Sequence, residues 1–151
     1  MSEWYFAYGS NLSIDKMIER TGAVDQRDDR PRLARLPNYR LVFNVHHRGQ
    51  VFANIHSPGK GVLGVLYCCS PAALNKLDNY ETGYERQRVM VVTENGDKLE
   101  AFAYIASSTN AAISGKPSPE YLHKIISGAR QHGLPETYVE EIEAIASANG
   151  A

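Results

Sequence analysis

Five short β-type runs lie between Tyr39 and Ile105, and their punctuation constrains the fold more than any other feature of the chain. Tyr39 to Val45, Val51 to Ile55 and Val62 to Cys68 are rich in Val, Leu, Ile and aromatic residues. They are broken by His46-His47-Arg48-Gly49 and by Ser57-Pro58-Gly59-Lys60-Gly61, which favour turns over regular structure. Gln87 to Thr93 and Lys98 to Ile105 flank Glu94-Asn95-Gly96-Asp97, a hairpin signal because Asn-Gly accepts the positive φ of a tight turn. A further buried strand is expected at Trp4 to Tyr8, ended by Gly9-Ser10-Asn11.

Helical signals surround these runs. Ser13 can cap a short helix from Ile14 to Arg20 with Ile14, Met17 and Ile18 as its apolar stripe. Ser70-Pro71 places a capping serine before a proline at the first helical position, predicting a helix to about Tyr80 with Gly83 just past its end. Ser118-Pro119 repeats the device, with Tyr121, Leu122, Ile125, Ile126 and Ala129 inward and Gly133 as the stop. A last helix follows Pro135 and uses Tyr138, Ile142, Ile145 and Ala146. Thr21 to Arg32 is polar and charge-mixed and carries Pro31, so it reads as a surface loop. No repeat, low-complexity segment or linker interrupts the pattern. Residues 1–151 therefore read as one α+β domain, with mostly antiparallel strands that could close into a barrel.

Composition narrows the partners. Lys+Arg number 16 and Asp+Glu 17, a formal net charge of −1, which gives no electrostatic drive towards nucleic acid or an anionic membrane. Cys68 and Cys69 are adjacent inside an apolar run; neighbours cannot easily meet disulfide geometry with each other, so both read as reduced packing residues. The start Met1-Ser2-Glu3-Trp4 lacks a basic stretch followed by an apolar core, and no apolar run approaches ~20 residues. Neither a signal peptide nor a membrane span is expected, and the protein is expected to be cytoplasmic.

Glu81 is the most informative candidate for chemistry. Stepping 100° per residue, it falls on the side of its helix that carries Leu74 and Leu77. Burial there, at the negative end of the helix dipole, would disfavour the charged form and raise the pKa, suiting general acid–base work. The bland alternative is a helix that frays at Tyr80 and leaves Glu81 in water. The turn Tyr8-Gly9-Ser10-Asn11-Leu12 offers backbone N–H groups to a negative group or developing oxyanion, unless it is an ordinary strand-to-helix turn. Ser10 has no Gly-x-Ser-x-Gly elbow around it and no indicated His partner. His46, His47 and His56 lack metal-ligand spacing, and Gly59-Lys60-Gly61 lacks that of a phosphate loop, so no metal or nucleotide cofactor is indicated. Tyr5, Tyr8, Tyr84, Tyr104 and Tyr121 could bring hydroxyls to a polar pocket or serve packing alone.

Taken together, these segments resemble the γ-glutamylcyclotransferase-like family with its AIG2-like fold, which implies a small mixed, mostly antiparallel β-barrel with flanking helices and a pocket at one end. The matching residues are Tyr5-Phe6-Ala7-Tyr8-Gly9-Ser10-Asn11-Leu12, Gly61-Val62-Leu63-Gly64-Val65-Leu66 and Leu77-Asp78-Asn79-Tyr80-Glu81, then Pro117-Ser118-Pro119-Glu120-Tyr121 and Gly133-Leu134-Pro135 with Tyr138. They follow the family's order over nearly the whole chain, and the last two point to the animal-type branch. The resemblance implies conversion of γ-glutamyl amino acids or dipeptides to 5-oxoproline within glutathione metabolism, without cofactor or metal and with Glu81 as general acid and base. It implies substrate contacts from Tyr5, Phe6, Ala7, Tyr8, Gly9, Ser10, Asn11 and Leu12, with Tyr104 and Tyr121 at the pocket. It also leaves room for a homodimer. Thr82 stands where the family usually has Gly, and the segment to Tyr84 is shortened, which puts Tyr84's role in doubt. The loops 46–49 and 21–32 are candidates to cover the pocket. Three alternatives remain: the same chemistry on γ-glutamyl amines or another γ-glutamylated metabolite, a non-catalytic γ-glutamyl binding module, and a hydrolase with Ser10 as nucleophile.

Overall fold

The β-type runs form two separate sheets. The computed structural model describes residues 3–21, 31–81, 83–106 and 114–148. In chain order these give strand β1 (Glu3–Ala7), a 3-10 turn (Ser10–Leu12), helix α1 (Ile14–Thr21), β2 (Arg32–Leu36), β3 (Arg40–His47), β4 (Gln50–His56) and β5 (Val62–Cys69). Helix α2 (Pro71–Tyr80), β6 (Tyr84–Thr93), β7 (Lys98–Ala106), α3 (Pro119–Gln131) and α4 (Glu136–Ala148) follow. Strands β1-β5-β2-β6-β7 close into a barrel, while β3 and β4 stand outside it as a two-stranded hairpin.

Strand β5 is the barrel's spine. It pairs antiparallel with β1 on one side (Trp4↔Cys68, Phe6↔Leu66) and with β2 on the other (Ala34↔Gly64, Leu36↔Val62). Hairpin β6–β7 carries the sheet round, and β7 closes on β1 through a parallel pairing at Tyr5↔Phe102, which makes the barrel mixed. A Cβ at Gly64 would run into the Ala7 carbonyl oxygen and stand 2.9 Å from the Phe6 ring. The glycine is what lets β1 lie this close to the spine.

Strand β2 corrects the loop reading of 21–32 at both ends. Thr21 completes α1 and Arg32 opens the strand, while 22–30 lie outside the described residues. Within β2, Ala34 and Leu36 point inward and Arg35 outward, a period-2 pattern too short to stand out among its arginines.

The predicted caps are in place. Ser70 Oγ accepts from Ala73 N at 3.1 Å, Ser118 Oγ from Tyr121 N at 3.2 Å and Ser13 Oγ from Lys16 N at 3.3 Å. Phe6, Leu66, Leu77, Ile125 and Ile142 are among the fully buried core residues, each such side chain contributing on the order of 1.5–3 kcal/mol. Cys68 and Cys69 are both buried and share no disulfide, and burial pushes the Cys69 thiol up to about 12. Among the described residues no helix is long and apolar enough to cross a membrane.

Two contacts outside the barrel position the site. The fully buried Asn54 of β4 accepts from Ala106 N at 2.9 Å and donates to Ala106 O at 3.3 Å, clamping the hairpin to the end of β7. Helix α3 lies against the 3-10 turn at Gly128, where a Cβ would stand 2.6 Å from Leu12 C and Ser13 N.

Candidate active site

The turn after β1, the end of α2, the hairpin and α3 meet around a small cavity of about 40 Å³. Tyr5, Tyr8, Gly9, Ser10 and Asn11 form one side of it. Glu81, Tyr84 and Tyr104 come from the α2–β6–β7 side, and Ala53 and Tyr121 from the hairpin and α3. Phe6, Ala7 and Leu12 do not line it. All three are fully buried in the core, where they hold the flanks of the turn.

Helix α2 ends at Tyr80, and Glu81 is its C-cap, with its N–H bonded to Asp78 O. The side chain nevertheless turns inward, and only 14% of it is exposed. Burial pushes its carboxyl up to about 6, with a smaller push from Asp78; the Arg20 guanidinium and the Asn11 amide pull the other way. Position at the negative end of α2 acts in the same direction as burial. The expectation of a raised pKa on the apolar side of the helix therefore agrees with the structure, although the residue itself is one step past the helix.

Asn11 ties the carboxylate to the turn. Its Nδ2 donates to Glu81 Oε1 at 3.2 Å and to Tyr5 Oη at 2.8 Å, while its Oδ1 accepts from Arg20 Nη1 at 2.9 Å. Arginine has no acceptor atom, so this contact fixes which way round the amide sits. Arg20 Nη1 also lies 3.6 Å from Glu81 Oε1, and its guanidinium stacks over the Tyr80 ring at 5.3 Å.

The tyrosines are held by backbone. Tyr8 Oη donates to Tyr104 O at 2.5 Å, and Tyr84 Oη to Ala53 O at 2.5 Å. Tyr121 Oη accepts from Ala53 N at 3.1 Å, so two tyrosines use both polar groups of one hairpin residue. Tyr104 Oη donates to Asp78 Oδ1 at 2.6 Å. Burial raises the pKa of each of Tyr5, Tyr8, Tyr84, Tyr104 and Tyr121 above that of free tyrosine, which keeps the hydroxyls neutral.

The turn is braced from behind. Leu12 O accepts from Tyr67 Oη at 3.0 Å and from His132 Nε2 at 2.8 Å; burial lowers the His132 pKa, keeping that ring neutral. Leu12 N and Ser13 N bond to Gly9 O and Ser10 O, so the Ser10 and Asn11 amides have no partner within the turn. Gly9 has φ −114°, and a Cβ there would meet only Tyr121 Oη at 3.5 Å and Ala53 Cβ at 3.7 Å. Both neighbours line the cavity, so the missing side chain at Gly9 is space for a ligand.

Sequence reasoning did not single out Arg20 or Ala53. Neither carries a local signal: Arg20 meets Glu81 only through the packing of α1 on α2, and Ala53 acts through its backbone. Tyr84 lines the cavity despite the shortened segment before it. His47 and Gln50, at the hairpin tip, line a wider space outside the cavity. His56 Nε2 lies 2.9 Å from Asn44 Nδ2 in a polar network. Among the described residues, no group of three His, Cys, Asp or Glu side chains is placed to hold a metal.

A closed mixed barrel with helices around it and one buried acid among tyrosines belongs to the γ-glutamylcyclotransferase fold class. A solved γ-glutamyl cyclotransferase superposes with a TM-score of 0.85 at 31% identity, over 96% of this chain and 88% of that one. The chain belongs to the AIG2-like family, whose model matches residues 61–142. It is 32% identical to the γ-glutamylcyclotransferase of Homo sapiens over 93% of this chain and 77% of that protein, and 30% identical to that of Mus musculus over the same shares.

Proposed function

We propose that this protein is a γ-glutamylcyclotransferase that converts γ-glutamyl amino acids to 5-oxoproline and the free amino acid, with Glu81 as general base and then general acid. The observation that carries the reading is the inward-turned Glu81 carboxyl, raised to about 6, at the wall of a tyrosine-lined cavity. The relatives' shared name supports the same class of reaction.

The substrate's α-ammonium has no lone pair and cannot attack. A carboxyl of pKa about 6 is mostly ionised at neutral pH, so Glu81 can take one of the ammonium protons. The freed amine attacks the γ-carbonyl carbon, closing a five-membered ring and placing negative charge on the carbonyl oxygen. The amides of Ser10 and Asn11 and the hydroxyls of Tyr5 and Tyr121, which accept rather than donate in the bonds above, are the donors available to that charge. Protonated Glu81 then gives its proton to the leaving nitrogen as the C–N bond breaks, and the ring nitrogen passes its second proton to the departing amine through the regenerated carboxylate, leaving 5-oxoproline and the free amino acid. Reaction within one molecule needs only that the chain be held bent, and orientation supplies much of the acceleration. No step needs a metal or cofactor.

The test is a 5-oxoproline assay on γ-glutamyl-alanine with wild type, Glu81→Gln and Ser10→Ala. Proton-transfer catalysis is typically worth ~10²–10⁴-fold, so Glu81→Gln should lose at least that lower figure. Ser10→Ala should lose far less, because the ring closure forms no acyl-serine. Equal rates in wild type and Glu81→Gln would move the base elsewhere. Absence of oxoproline with folded protein would overturn the reading.

A further inference from the structure

Outside the tyrosine cavity the site widens into a second space of about 370 Å³, within the range of small-molecule pockets. Ser10, Glu81, Tyr84 and Tyr121 line both spaces, so they form one continuous site with Glu81 at the junction. The chemistry changes across that junction. The inner part is walled by tyrosine hydroxyls, whereas the outer part carries Lys16 and Arg20 from α1 and Lys124 from α3, with His47 and Gln50 at the hairpin tip. Glu120 is the acid on that outer wall besides Glu81 itself.

These cations repel one another within the fold. The Lys16 side chain is only 22% exposed, and burial together with the Arg20 and Lys124 charges pushes its ammonium down. Its contact with Glu19, 3.9 Å away and 70% exposed, offsets little of that repulsion. Arg20 is engaged by Glu81 and Asn11, so Lys16 and Lys124 are the cations that an incoming anion would meet. A bound carboxylate would turn repulsion into attraction in a partly desolvated wall, where charge pairs are stronger than in water.

Position says which part of a substrate this wall reads. Ring closure folds the glutamyl portion back on its own γ-carbonyl, and the bond to the departing nitrogen points out of the new ring. With the reacting carbonyl at Glu81 and the glutamyl portion among the tyrosines, the departing group projects into the outer space. We propose that this outer space is the leaving-group subsite, where Lys16 and Lys124 hold the carboxylate of the departing amino acid and so select γ-glutamyl amino acids over γ-glutamyl alkylamines. The proposal rests on the cyclotransferase reading of Glu81.

Two substrates that differ in one carboxylate test it: γ-glutamyl-alanine and γ-glutamyl-ethylamide, with wild type, Lys124→Gln and the double variant Lys16→Gln/Lys124→Gln. Lys124 is exposed on its helix, so its replacement does not endanger folding. Wild type should prefer γ-glutamyl-alanine in kcat/KM by at least about tenfold, the effect of one charge-assisted hydrogen bond. That ratio should fall in Lys124→Gln and approach 1 in the double variant. An unchanged ratio, or equal preference in wild type, overturns the subsite while oxoproline production upholds the reaction. Calorimetric binding of both compounds to Glu81→Gln and to its lysine variants separates the remaining cases. Carboxylate-dependent binding without turnover in any variant upholds the subsite and overturns the reaction. Absence of both binding and turnover overturns both.

Discussion

Arg20 Nη1 stands 3.6 Å from Glu81 Oε1, yet the carboxyl it faces has a pKa pushed up to about 6. Burial therefore outweighs an adjacent cation. The same guanidinium holds Asn11 Oδ1, which aims the Asn11 amide at Glu81. Arg20 thus acts on Glu81 twice, directly through its charge and indirectly through the asparagine that orients the carboxylate.

Replacement of Arg20 should show in the pH profile. Arg20→Gln removes a charge that lowers the Glu81 pKa, so the acidic limb of kcat/KM should move to higher pH. An opposite charge at this range typically shifts a carboxyl by ~1 unit or more. Activity at pH 6 should consequently fall more than activity at pH 8. A limb that stays in place would mean that it reports a group other than Glu81.

Glu81 should also leave a mark on stability. Its folded pKa, about 6, lies above the ordinary 4.5, so the folded state holds the proton more tightly than the unfolded chain. The associated stability is fully present below pH 4.5 and is lost as pH rises through 6. The shift is equivalent to about 2 kcal/mol. Urea unfolding of wild type against Glu81→Gln from pH 4 to 8 should show wild type losing roughly that amount relative to the variant. Parallel curves would place the carboxyl in water instead.

One buried side chain ties the hairpin to the barrel beside the site. Asn54 satisfies both the N–H and the C=O of Ala106, and the next residue back, Ala53, receives Tyr84 and Tyr121. Asn54→Ala leaves two buried backbone groups unpaired, at about 1–3 kcal/mol each. Thermal unfolding should register a loss of a few kcal/mol, and kcat/KM should fall as the tyrosines lose their anchor. A variant as stable as wild type would show that the clamp is replaced by water.

These contacts mark where the sequence stops being legible. The capped helices at Ser70 and Ser118, the Asn-Gly hairpin and the inward face at Glu81 are local patterns, and each is visible within a dozen residues of chain. Strand β2 is not, because five residues with two arginines carry too little periodicity, and their inward set emerges only against β5. Arg20 is invisible for a different reason. Nothing about an arginine at the end of a short helix says which distant carboxylate it will face. The hairpin's attachment to the barrel runs through Asn54, a polar residue in an apolar run whose partners are the backbone groups of Ala106 at the far end of β7. The resemblance covered Tyr5 to Leu12 as one block, whereas the structure divides that block into cavity wall and buried support.

Two glycines allow that division to be tested from opposite sides. Gly128 is where α3 touches the back of the 3-10 turn, with Leu12 C and Ser13 N only 2.6 Å from where a Cβ would be. Backbone cannot yield as a flexible side-chain end can, so Gly128→Ala should force the helix off the turn and destabilise by about 1–3 kcal/mol. Gly9 faces the cavity, and its nearest neighbours would be in ordinary contact with a Cβ. Gly9→Ala meets no such clash and should destabilise less than Gly128→Ala, while the added methyl takes space beside Tyr121 and raises KM. Denaturation and steady-state kinetics on the two variants separate the roles. A Gly9→Ala protein with unaltered KM would remove Gly9 from the cavity wall and return it to the support of the turn.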